Sequence, residues 1–387
     1  MTARAPMGDI RVVLQQIALP RYRLPVFQEL SRRPGIKLKL IYAQTPGIPN
    51  VEPAGLDATL VPVWQRRIAG QIVYWHRAQW DYATRRHADV LILSWNVRFA
   101  SLVPALTRAH IEGVPTVLWG HGYSKHEAGW RAWPRRKVAQ MATALLFYNH
   151  TTARRFIEAG WDPKRIYVAL NALDQRPIQA ARAHWSARPD ELAAFRRAQR
   201  LDGRPVVLFV SRLEADNRVG LLLEAAAMMR WAGRPITVAI VGKGPDEQPL
   251  RNLAARLGLS DDVRFVGAVY DEMALAPWFL SADVFCYPAN IGLSILHAFG
   301  YGVPVITCDR IESQNPEIEA LEPGVNGLLY RDGDVGALSE ALARIIDDRP
   351  LRMSMSESAT RTVLERFTLG NMVDGMEAAV RYAAGSR

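Results

Sequence analysis

The sequence predicts an α/β protein built from two doubly wound domains in tandem. Short, nearly all-apolar runs alternate with amphipathic segments of helical period, a pattern typical of parallel strands covered by helices on both faces. The alternation continues through residues 1–170, stops over residues 171–204, and then begins again. A chain of 387 residues is long enough for two cores of ordinary size.

The first domain, residues 1–170, contains a series of predicted strands. Their apolar runs are IRVVLQQ (10–16), IKLKLIYA (36–43), DVLILSW (89–95), PTVLWG (115–120), ALLFYN (144–149) and RIYVALN (165–171). Predicted helices between them include RLPVFQELSRR, SLVPALTRAHIEG and TTARRFIEAG. Strands that alternate with helices in this way indicate a parallel sheet.

Residues 171–204 interrupt the pattern with QRPIQAARAHW and the charged helix DELAAFRRAQRL, and we expect an inter-domain linker there. The second domain, 205–365, repeats the alternation. Its predicted strands are VVLFVSR (206–212), ITVAIVG (236–242), VRFVG (263–267), DVFCYP (283–288) and PVITCD (304–309). The tail, 366–387, is predicted to form an amphipathic helix that packs back on the first domain. We expect the two domains to face each other across a cleft at the carboxyl ends of their strands, where ligands bind in such folds.

Positive charge and tryptophan are both concentrated in the first domain. The net charge is +10, yet residues 1–170 hold 24 Lys and Arg against 10 Asp and Glu, and eight of the 11 tryptophans. One stretch of this domain combines both features in Trp130, Trp133, Arg135, Arg136 and Lys137. Cations beside indoles suit an anionic membrane surface, although an ordinary solvated basic face would also explain the charges. Nucleic acid attracts the same cations, but no nucleic-acid-binding motif is present and we do not expect it as a partner.

Neither an export signal nor a membrane span is evident in the chain. The start, MTARAPMGDIRVVL, lacks the apolar core of a signal peptide, and no uncharged apolar run reaches spanning length. Cys286 and Cys308 both fall in predicted strands, as expected for reduced core thiols of a cytosolic protein. We therefore expect a cytoplasmic protein that binds peripherally to the inner face of the cell membrane.

Two predicted strand ends of the second domain carry cations that suit a phosphate. Arg212 follows the strand in VSRLEADNR (210–218), where its guanidinium could bind phosphate oxygens or simply face solvent beside Glu214. In VGKGPDEQPL (241–250), the two glycines allow close approach of a backbone, and Lys243 offers a point charge. The third glycine of a dinucleotide fingerprint is missing, so dinucleotide binding is only weakly supported.

His121 and Glu317 are further candidates for contact with a ligand. His121, in WGHGYSKHE (119–127), follows a predicted strand, where an imidazole can exchange a proton near neutral pH; a structural loop histidine is the alternative. Glu317 could accept hydrogen bonds from a ligand hydroxyl or stabilise a helix N-terminus. Asp332 and Asp334 are interpreted as turn residues, so we expect no metal site.

The order of these motifs, over essentially the whole chain, resembles glycosyltransferase family 4, whose members are retaining enzymes of the GT-B fold. The strongest segments are VSRLEADNRVGLLLEA, VAIVGKGPDEQPLRNLAARLGLSDDVRFVGAVYDE, LSILHAFGYGVPVIT and NPEIEALEPGVNGLLYRDGDVGAL. In the first domain, PRYRLPVFQEL, DVLILSWN, VLWGHGYS and IYVALNALD occupy the expected places. The resemblance implies two Rossmann-like domains and transfer of a sugar from a nucleotide donor.

The chain departs from the family pattern at charged positions. Arg212 matches the arginine of the family's Arg-x4-Lys pair, which binds the donor diphosphate, whereas Asn217 stands at the lysine and Arg218 is its neighbour. The family's Glu-x7-Glu motif contacts the donor sugar and the ribose, and here its two positions are Ala289 and His297. The chain therefore resembles a branch of the family that lacks both glutamates.

The resemblance also implies which residues contact the two substrates. The expected donor contacts are Arg212, Arg218, Lys243, His297 and Glu317, together with Gly292, Leu293 and Ser294, whose backbone N–H groups suit a diphosphate at a helix start. His121 matches the glycine-flanked histidine that lies under the donor sugar and is the expected catalytic residue. The expected acceptor contacts are Tyr22, Arg23, Trp95 and Asn96.

The resemblance thus predicts a metal-independent, retaining hexosyl- or deoxyhexosyltransferase. It would move a sugar from a nucleotide-diphosphate sugar to a lipid-linked or membrane-proximal glycan in surface polysaccharide synthesis, with no cofactor besides the donor. The replaced charges at Ala289, His297 and Asn217 leave an alternative open. That alternative is a non-catalytic, nucleotide-sugar-binding or scaffold subunit of a polysaccharide assembly.

Overall fold

The computed structural model describes residues 8–45, 48–68, 71–123 and 129–386. These residues divide into two compact units. The first unit extends to Asn171 and includes the chain again from Leu369 onward, and the second runs from Ala172 to Thr368. Each unit contains a parallel sheet with helices, which confirms the predicted fold class.

The first unit is organised around a seven-stranded sheet. Its strands are β1 (Ile10–Gln15), β2 (Ile36–Ala43), β3 (Ala58–Val61), β6 (Val90–Ser94), β7 (Thr116–Gly120), β8 (Ala144–Phe147) and β9 (Ile166–Val168), and a separate hairpin contains β4 (Val63–Ile68) and β5 (Gln71–His76). Its helices are α1 (Leu24–Ser31), α2 (Arg77–Asp81), α3 (Leu102–Ile111), α4 (Gly129–Gln140), α5 (His150–Glu158) and α14 (Leu369–Gly385). The sheet order β3-β2-β1-β6-β7-β8-β9 is parallel throughout.

Strands β3 to β5 are not predicted by the apolar runs. The segment VWQRRI of β4 is polar and charged because the hairpin lies outside the main sheet and is not covered on both faces. The central strand β6, in contrast, buries Val90 to Leu93 completely, as parallel strands between two helical layers require.

The second unit has a six-stranded parallel sheet. Its strands are β10 (Val206–Val210), β11 (Thr237–Val241), β12 (Val263–Gly267), β13 (Val284–Cys286), β14 (Val305–Cys308) and β15 (Gly327–Tyr330). Its helices are α6 (Gln175–Ser186), α7 (Pro189–Ala198), α8 (Val219–Trp231), α9 (Glu247–Arg256), α10 (Glu272–Leu280), α11 (Ser294–Gly300), α12 (Val335–Asp347) and α13 (Arg349–Glu365). The order β12-β11-β10-β13-β14-β15 is that of a Rossmann fold, in which the strand order reverses between β10, the first strand of the sheet, and β13, the fourth.

The sequence pattern suggested residues 171–204 as a linker. They contain α6 and α7, and all of them except Asn171 belong to the second unit. Ile178 and Ala181 of α6 are buried. The indole N–H of Trp185 donates to the carbonyl of Met273 at 2.9 Å, and the ring of Phe195 in α7 meets that of Trp278 edge-on at 5.0 Å. Composition alone obscured this packing because α6 buries few apolar residues and α7 is strongly charged.

The C-terminal helix α14 belongs to the first unit. It buries the apolar residues Met372, Val373, Met376, Ala379, Val380 and Ala383. Asp374 pairs with Arg33 at 2.8 Å. A Cβ at Gly375 would lie 1.8 Å from the carbonyl oxygen of Val168, so glycine lets the helix backbone approach β9 closely.

Candidate functional site

The carboxyl ends of β10 and β13 form the switch point of the second sheet, the position at which doubly wound folds bind ligands. Ser211 follows β10 and Tyr287 follows β13. The Tyr287 hydroxyl donates to Ser211 Oγ at 3.0 Å and joins the two strand ends. Burial raises the pKa of Tyr287 to about 12, so the hydroxyl stays protonated and remains a donor.

The loop after β10 exposes Arg212 and buries Asn217. The Arg212 guanidinium lies 3.1 Å from Glu214 at a largely exposed position. The Asn217 side-chain amide donates to the carbonyl of Arg212 at 2.6 Å, and its oxygen accepts a long contact of 3.5 Å from Asn290. Asn217 therefore holds the loop backbone and brings no charge to it.

Arg218, next to Asn217, is also held within the unit. Its guanidinium pairs with Asp332 at 2.5 Å. Its φ of +53° puts the backbone in the left-handed region immediately before α8, an unusual conformation for a residue other than glycine. Arg218, the expected donor contact next to the position of the missing lysine, is thus paired with a carboxylate.

The loop after β11 packs backbone to backbone against the Arg212 loop. The Leu213 N–H donates to the carbonyl of Lys243 at 3.0 Å. A Cβ at Gly242 would lie 1.8 Å from the Ser211 carbonyl oxygen, and one at Gly244 would lie 2.1 Å from that of Leu213. These glycines therefore permit close backbone approach, as the sequence suggested, and they keep exposed Lys243 next to the Arg212 loop.

The stretch after β13 is fixed by side-chain amides. Asn290 has a φ of +63°, and its carbonyl accepts from the Asn315 amide at 3.0 Å. Gln314, fully buried, accepts from the Ile291 N–H at 2.7 Å. These bonds hold the backbone that leads through Gly292 and Leu293 to Ser294, where α11 begins.

Of the two positions at which the resembled family carries glutamates, Ala289 is buried and His297 interacts with a carboxylate. His297 Nε2 lies 2.9 Å from Glu272 Oε1, and the same oxygen accepts from the Tyr301 hydroxyl at 2.6 Å. Burial and this carboxylate raise the pKa of Tyr301. Glu317 is 96% buried in a short 3₁₀ helix after β14.

In the first unit, a cavity of about 350 Å³ lies at the carboxyl ends of β1, β6 and β7. Trp95, Asn96 and His121 all line it. His121 is exposed directly after β7, and its ring centroid lies 4.9 Å from that of Tyr148. The structure therefore brings the predicted catalytic residue together with two of the predicted acceptor contacts.

The other predicted acceptor contacts differ in exposure. Tyr22 is 39% exposed, whereas Arg23 is only 7% exposed. Arg23 donates to the Asn171 side chain at 2.9 Å and lies 4.9 Å from the ring of Trp119. Trp95 packs its ring against that of Phe147 inside the core, so Arg23 and much of Trp95 stabilise the wall of the site.

The basic, tryptophan-containing stretch forms α4. Trp133 is 65% exposed, and Lys137 Nζ lies 5.6 Å from its ring centroid. Arg135 lines the cavity that contains His121, and Arg136 is exposed. The side chain of Trp130 lies outside the described part of the structure. Within that part, no helix is long and apolar enough to cross a bilayer.

Comparisons with known proteins point to one group of enzymes. Residues 192–362 match the family model "Glycosyl transferases group 1". The chain is similar to group 1 glycosyltransferases. It is 27% identical, over 70% of its length and 71% of the relative, to a GDP-mannose-dependent alpha-(1-6)-phosphatidylinositol monomannoside mannosyltransferase of Mycobacterium tuberculosis. It is 28% identical, over 64% of its length and 63% of the relative, to the alpha-D-kanosaminyltransferase of Streptomyces kanamyceticus.

Solved structures show the fold. Anabaena HepE in complex with UDP aligns with a TM-score of 0.71, 18% identity, and coverage of 96% of this chain and 98% of that one. A glycosyltransferase of Rickettsia africae aligns with a TM-score of 0.73, 12% identity, and coverage of 97% and 99%. The fold is GT-B, with two Rossmann-like α/β domains, as the motif order implied. The matched family model and the sequence relatives support glycosyl transfer as the activity.

Several residues of the two sites were not identified from the sequence. Gln16, Arg98 and Tyr148 line the cavity of the first unit, and Glu272 contacts His297. Arg98 follows Asn96 by two residues, so its closeness to a predicted strand end was an available signal. Glu272 and His297 lie on different helices, and no sequence spacing indicates their contact.

Proposed function

We propose that this protein is a retaining glycosyltransferase that moves a hexosyl or deoxyhexosyl group from a nucleotide-diphosphate sugar to a lipid-linked or membrane-proximal glycan in surface polysaccharide synthesis. The match of residues 192–362 to group 1 glycosyltransferases carries the proposal. HepE, whose fold is shared, binds UDP, which supports a nucleotide donor. Relatives named for a phosphatidylinositol monomannoside and for lipopolysaccharide core biosynthesis support a lipid-linked acceptor.

The donor diphosphate is proposed to bind at the switch point of the second unit. Arg212 and Lys243 supply positive charge on adjacent loops, and the backbone of Gly292 to Ser294 supplies N–H donors. Groups aimed at the diphosphate stabilise the negative charge that builds up on the leaving group. Glu317 and His297 are proposed to contact the sugar and the nucleoside.

His121 is proposed to orient the reacting groups in the transfer step. Ala289 offers no carboxylate nucleophile, which suits a same-face mechanism in which the leaving phosphate accepts the proton of the acceptor hydroxyl. We expect His121→Ala to lower kcat by about 100-fold, the scale on which misplaced reacting groups slow a reaction. His110→Ala on α3 is the matched control. An unchanged kcat in His121→Ala would remove His121 from the mechanism.

The test of the activity is turnover over a panel of UDP-, GDP- and dTDP-linked hexoses and deoxyhexoses, with lipid-linked glycans as acceptors. ¹H NMR of the product distinguishes retention from inversion, and full activity in excess EDTA is expected. Binding of a nucleotide diphosphate should also raise the melting temperature by mass action. If neither turnover nor a thermal shift is seen with any nucleotide, the proposal is wrong.

A non-catalytic, nucleotide-sugar-binding or scaffold role is the second candidate. It is favoured by the pairing of Arg218 with Asp332 and by the use of Asn217 as a backbone clamp, since both reduce the charge offered to a diphosphate. A thermal shift with a nucleotide diphosphate but no hydrolysis or transfer of any nucleotide sugar would support this role over the enzyme.

An anionic membrane surface is proposed as a partner of the first unit, with the protein on the cytoplasmic face. Exposed Trp133 and the cations Arg135, Arg136 and Lys137 of α4 support it. The β4–β5 hairpin adds Trp64, which is 75% exposed and directly opposite Trp75 in the strand register. Indoles and cations together suit the polar boundary of an anionic bilayer.

A further inference from the structure

Two cavities adjoin at the carboxyl end of the first sheet. One, of about 350 Å³, contains His121. The other, of about 370 Å³, lies against the inner face of the β4–β5 hairpin, where Gln65 and Tyr74 line it. Both linings include Ile17, Asn96 and Arg98. The segment around Arg98 is therefore the shared wall, and a ligand larger than one sugar ring could occupy both spaces.

The backbone of Arg98 is fixed while its side chain is available. Its N–H donates to Asn96 Oδ1 at 3.0 Å, and its carbonyl accepts from the Tyr74 N–H at 2.9 Å. The side chain is exposed, and among the described residues its guanidinium makes no hydrogen bond or ion pair. Arg11, which is also exposed, pairs with Asp89 instead.

The charge around the shared wall has one sign. Within the described part of the chain, neither lining contains a carboxylate, and the basic side chains are Arg98, Arg135 and His121. The remaining polar lining of the second cavity consists of amides and hydroxyls, from Gln44, Gln65, Asn96, Thr45 and Tyr74. Amides and hydroxyls suit sugar hydroxyls, whereas an unpaired guanidinium suits a planar or tetrahedral oxyanion.

We propose that the two cavities together bind a glycan acceptor that carries an oxyanion, either a phosphate ester or a carboxylate, and that Arg98 holds this oxyanion. The inference rests on the proposed function, because it names the acceptor class of the same transferase. Arg98 determines specificity, since it would favour an anionic acceptor over a neutral glycan of equal size. The second cavity would then hold the part of the acceptor beyond the ring nearest His121.

The test is binding of small probes to the full chain, measured by titration calorimetry without any donor. The probes are α-D-glucose 1-phosphate, D-glucuronate and methyl α-D-glucopyranoside. We expect at least one anionic probe to bind about tenfold or more tightly than the neutral glycoside, the scale of a charge-assisted hydrogen bond. The anionic probe with the higher affinity identifies the oxyanion of the acceptor as a phosphate ester or a carboxylate.

Three variants assign the effect to Arg98. Arg98→Ala should abolish the preference for the anion, and Arg98→Lys should retain part of it, because the charge remains but the guanidinium fork is lost. Arg66→Ala removes an equal charge from the opposite face of the hairpin and should leave the preference unchanged. Equal binding of all three probes by the wild type, or equal losses in Arg98→Ala and Arg66→Ala, would overturn the inference.

Failure of this inference and failure of the proposed function give different results. If nucleotide sugars are turned over but anionic and neutral probes bind with equal affinity, only the proposal of an anionic acceptor is wrong. If the anion preference depends on Arg98 but no nucleotide diphosphate changes the melting temperature and none of the nucleotide sugars is turned over, the proposed transferase activity is wrong. The anion-binding site is then retained.

Discussion

At the scale of single residues, neighbouring side chains decide what the cations of the second unit can do. Arg212, Arg218 and Lys243 come from loops at the same edge of the sheet. Arg218 is paired with a partly buried aspartate, whereas Arg212 faces an exposed glutamate. An exposed ion pair contributes little and is easily exchanged, so Arg212 is the better candidate for a diphosphate.

We expect Arg212→Ala to weaken binding of a nucleotide diphosphate by about 10- to 100-fold, the usual cost of losing a charge-assisted hydrogen bond. The shift in melting temperature as a function of nucleotide concentration measures it. Arg256→Ala removes an exposed arginine from α9 and should have no effect. Equal affinity in wild type and Arg212→Ala would show that the diphosphate binds elsewhere.

His76 is a buried histidine at the end of β5, with its ring centroid 6.0 Å from that of Phe99. Its side chain is fully buried, and within the described part of the chain neither ring nitrogen lies in a hydrogen bond. Burial lowers its pKa to about 4 from the ordinary 6.5. The folded state therefore binds a proton less readily than the unfolded chain, and the neutral imidazole is the form that stabilises the fold.

The consequence is a loss of stability as the pH falls. The contribution of His76 is complete above the unfolded pKa of 6.5 and declines as the pH falls toward about 4. Between about pH 8 and pH 5 the free energy of unfolding should fall by about 2 kcal/mol from this group. Urea unfolding at a series of pH values measures the fall. His76→Gln should be less pH-dependent over that interval, and an equal slope would contradict the assignment.

At the scale of elements, backbone contacts through glycine position whole segments. Gly242 and Gly244 let the β11–α9 loop approach the β10 loop, and Gly375 lets α14 approach β9. In each case the nearest atom is a carbonyl oxygen of another segment, which cannot move aside as a flexible side chain could. A side chain at these positions would therefore displace a whole helix or loop, and not only a neighbouring side chain.

Gly375→Ala should lower the free energy of unfolding by about 1–3 kcal/mol, because overpacking forces α14 away from β9. Gly385→Ala is the matched control, since no atom lies within 4 Å of a Cβ built there. Chemical denaturation of both variants measures the difference. If Gly375→Ala is as stable as the control, α14 does not depend on this close approach.

At the scale of the whole molecule, the two units differ in charge and in tryptophan content. Residues 1–170 carry the basic excess of the chain, while the remainder is slightly acidic. Among the described residues, four exposed tryptophans, Trp64, Trp75, Trp80 and Trp133, belong to the first unit, and one, Trp231, belongs to the second. This distribution favours an anionic surface as a partner of the first unit.

Replacement of Arg135, Arg136 and Lys137 by alanine should weaken sedimentation with anionic vesicles, and the difference should diminish as salt screens the charges. A control triple variant removes Arg197, Arg256 and Arg361, three exposed arginines of the second unit. Vesicle binding that is unchanged in the α4 variant, or reduced equally in both, would contradict docking through α4.

Much of the fold follows from local patterns. The nearly all-apolar strands predict their own burial, and the alternation predicts two parallel sheets. Strand β4 is missed because it is polar and charged, and the edge strand β3 because it has only four residues. The helices α6 and α7 are taken for a linker because α6 buries only Gln175, Ile178 and Ala181, while α7 is charged and has no buried residue.

The sequence by itself determined the two-domain α/β architecture, the order of motifs at the strand ends and the glycines that permit close backbone approach. Only the tertiary structure decided which side chains remain available to a ligand. It pairs Arg218 with Asp332, uses Asn217 to clamp a loop, buries Arg23 and joins His297 to Glu272. It also leaves Arg98 exposed between two cavities. The physical reason is that periodicity reports burial along one segment, whereas the partner of a charge comes from another segment that only folding brings near.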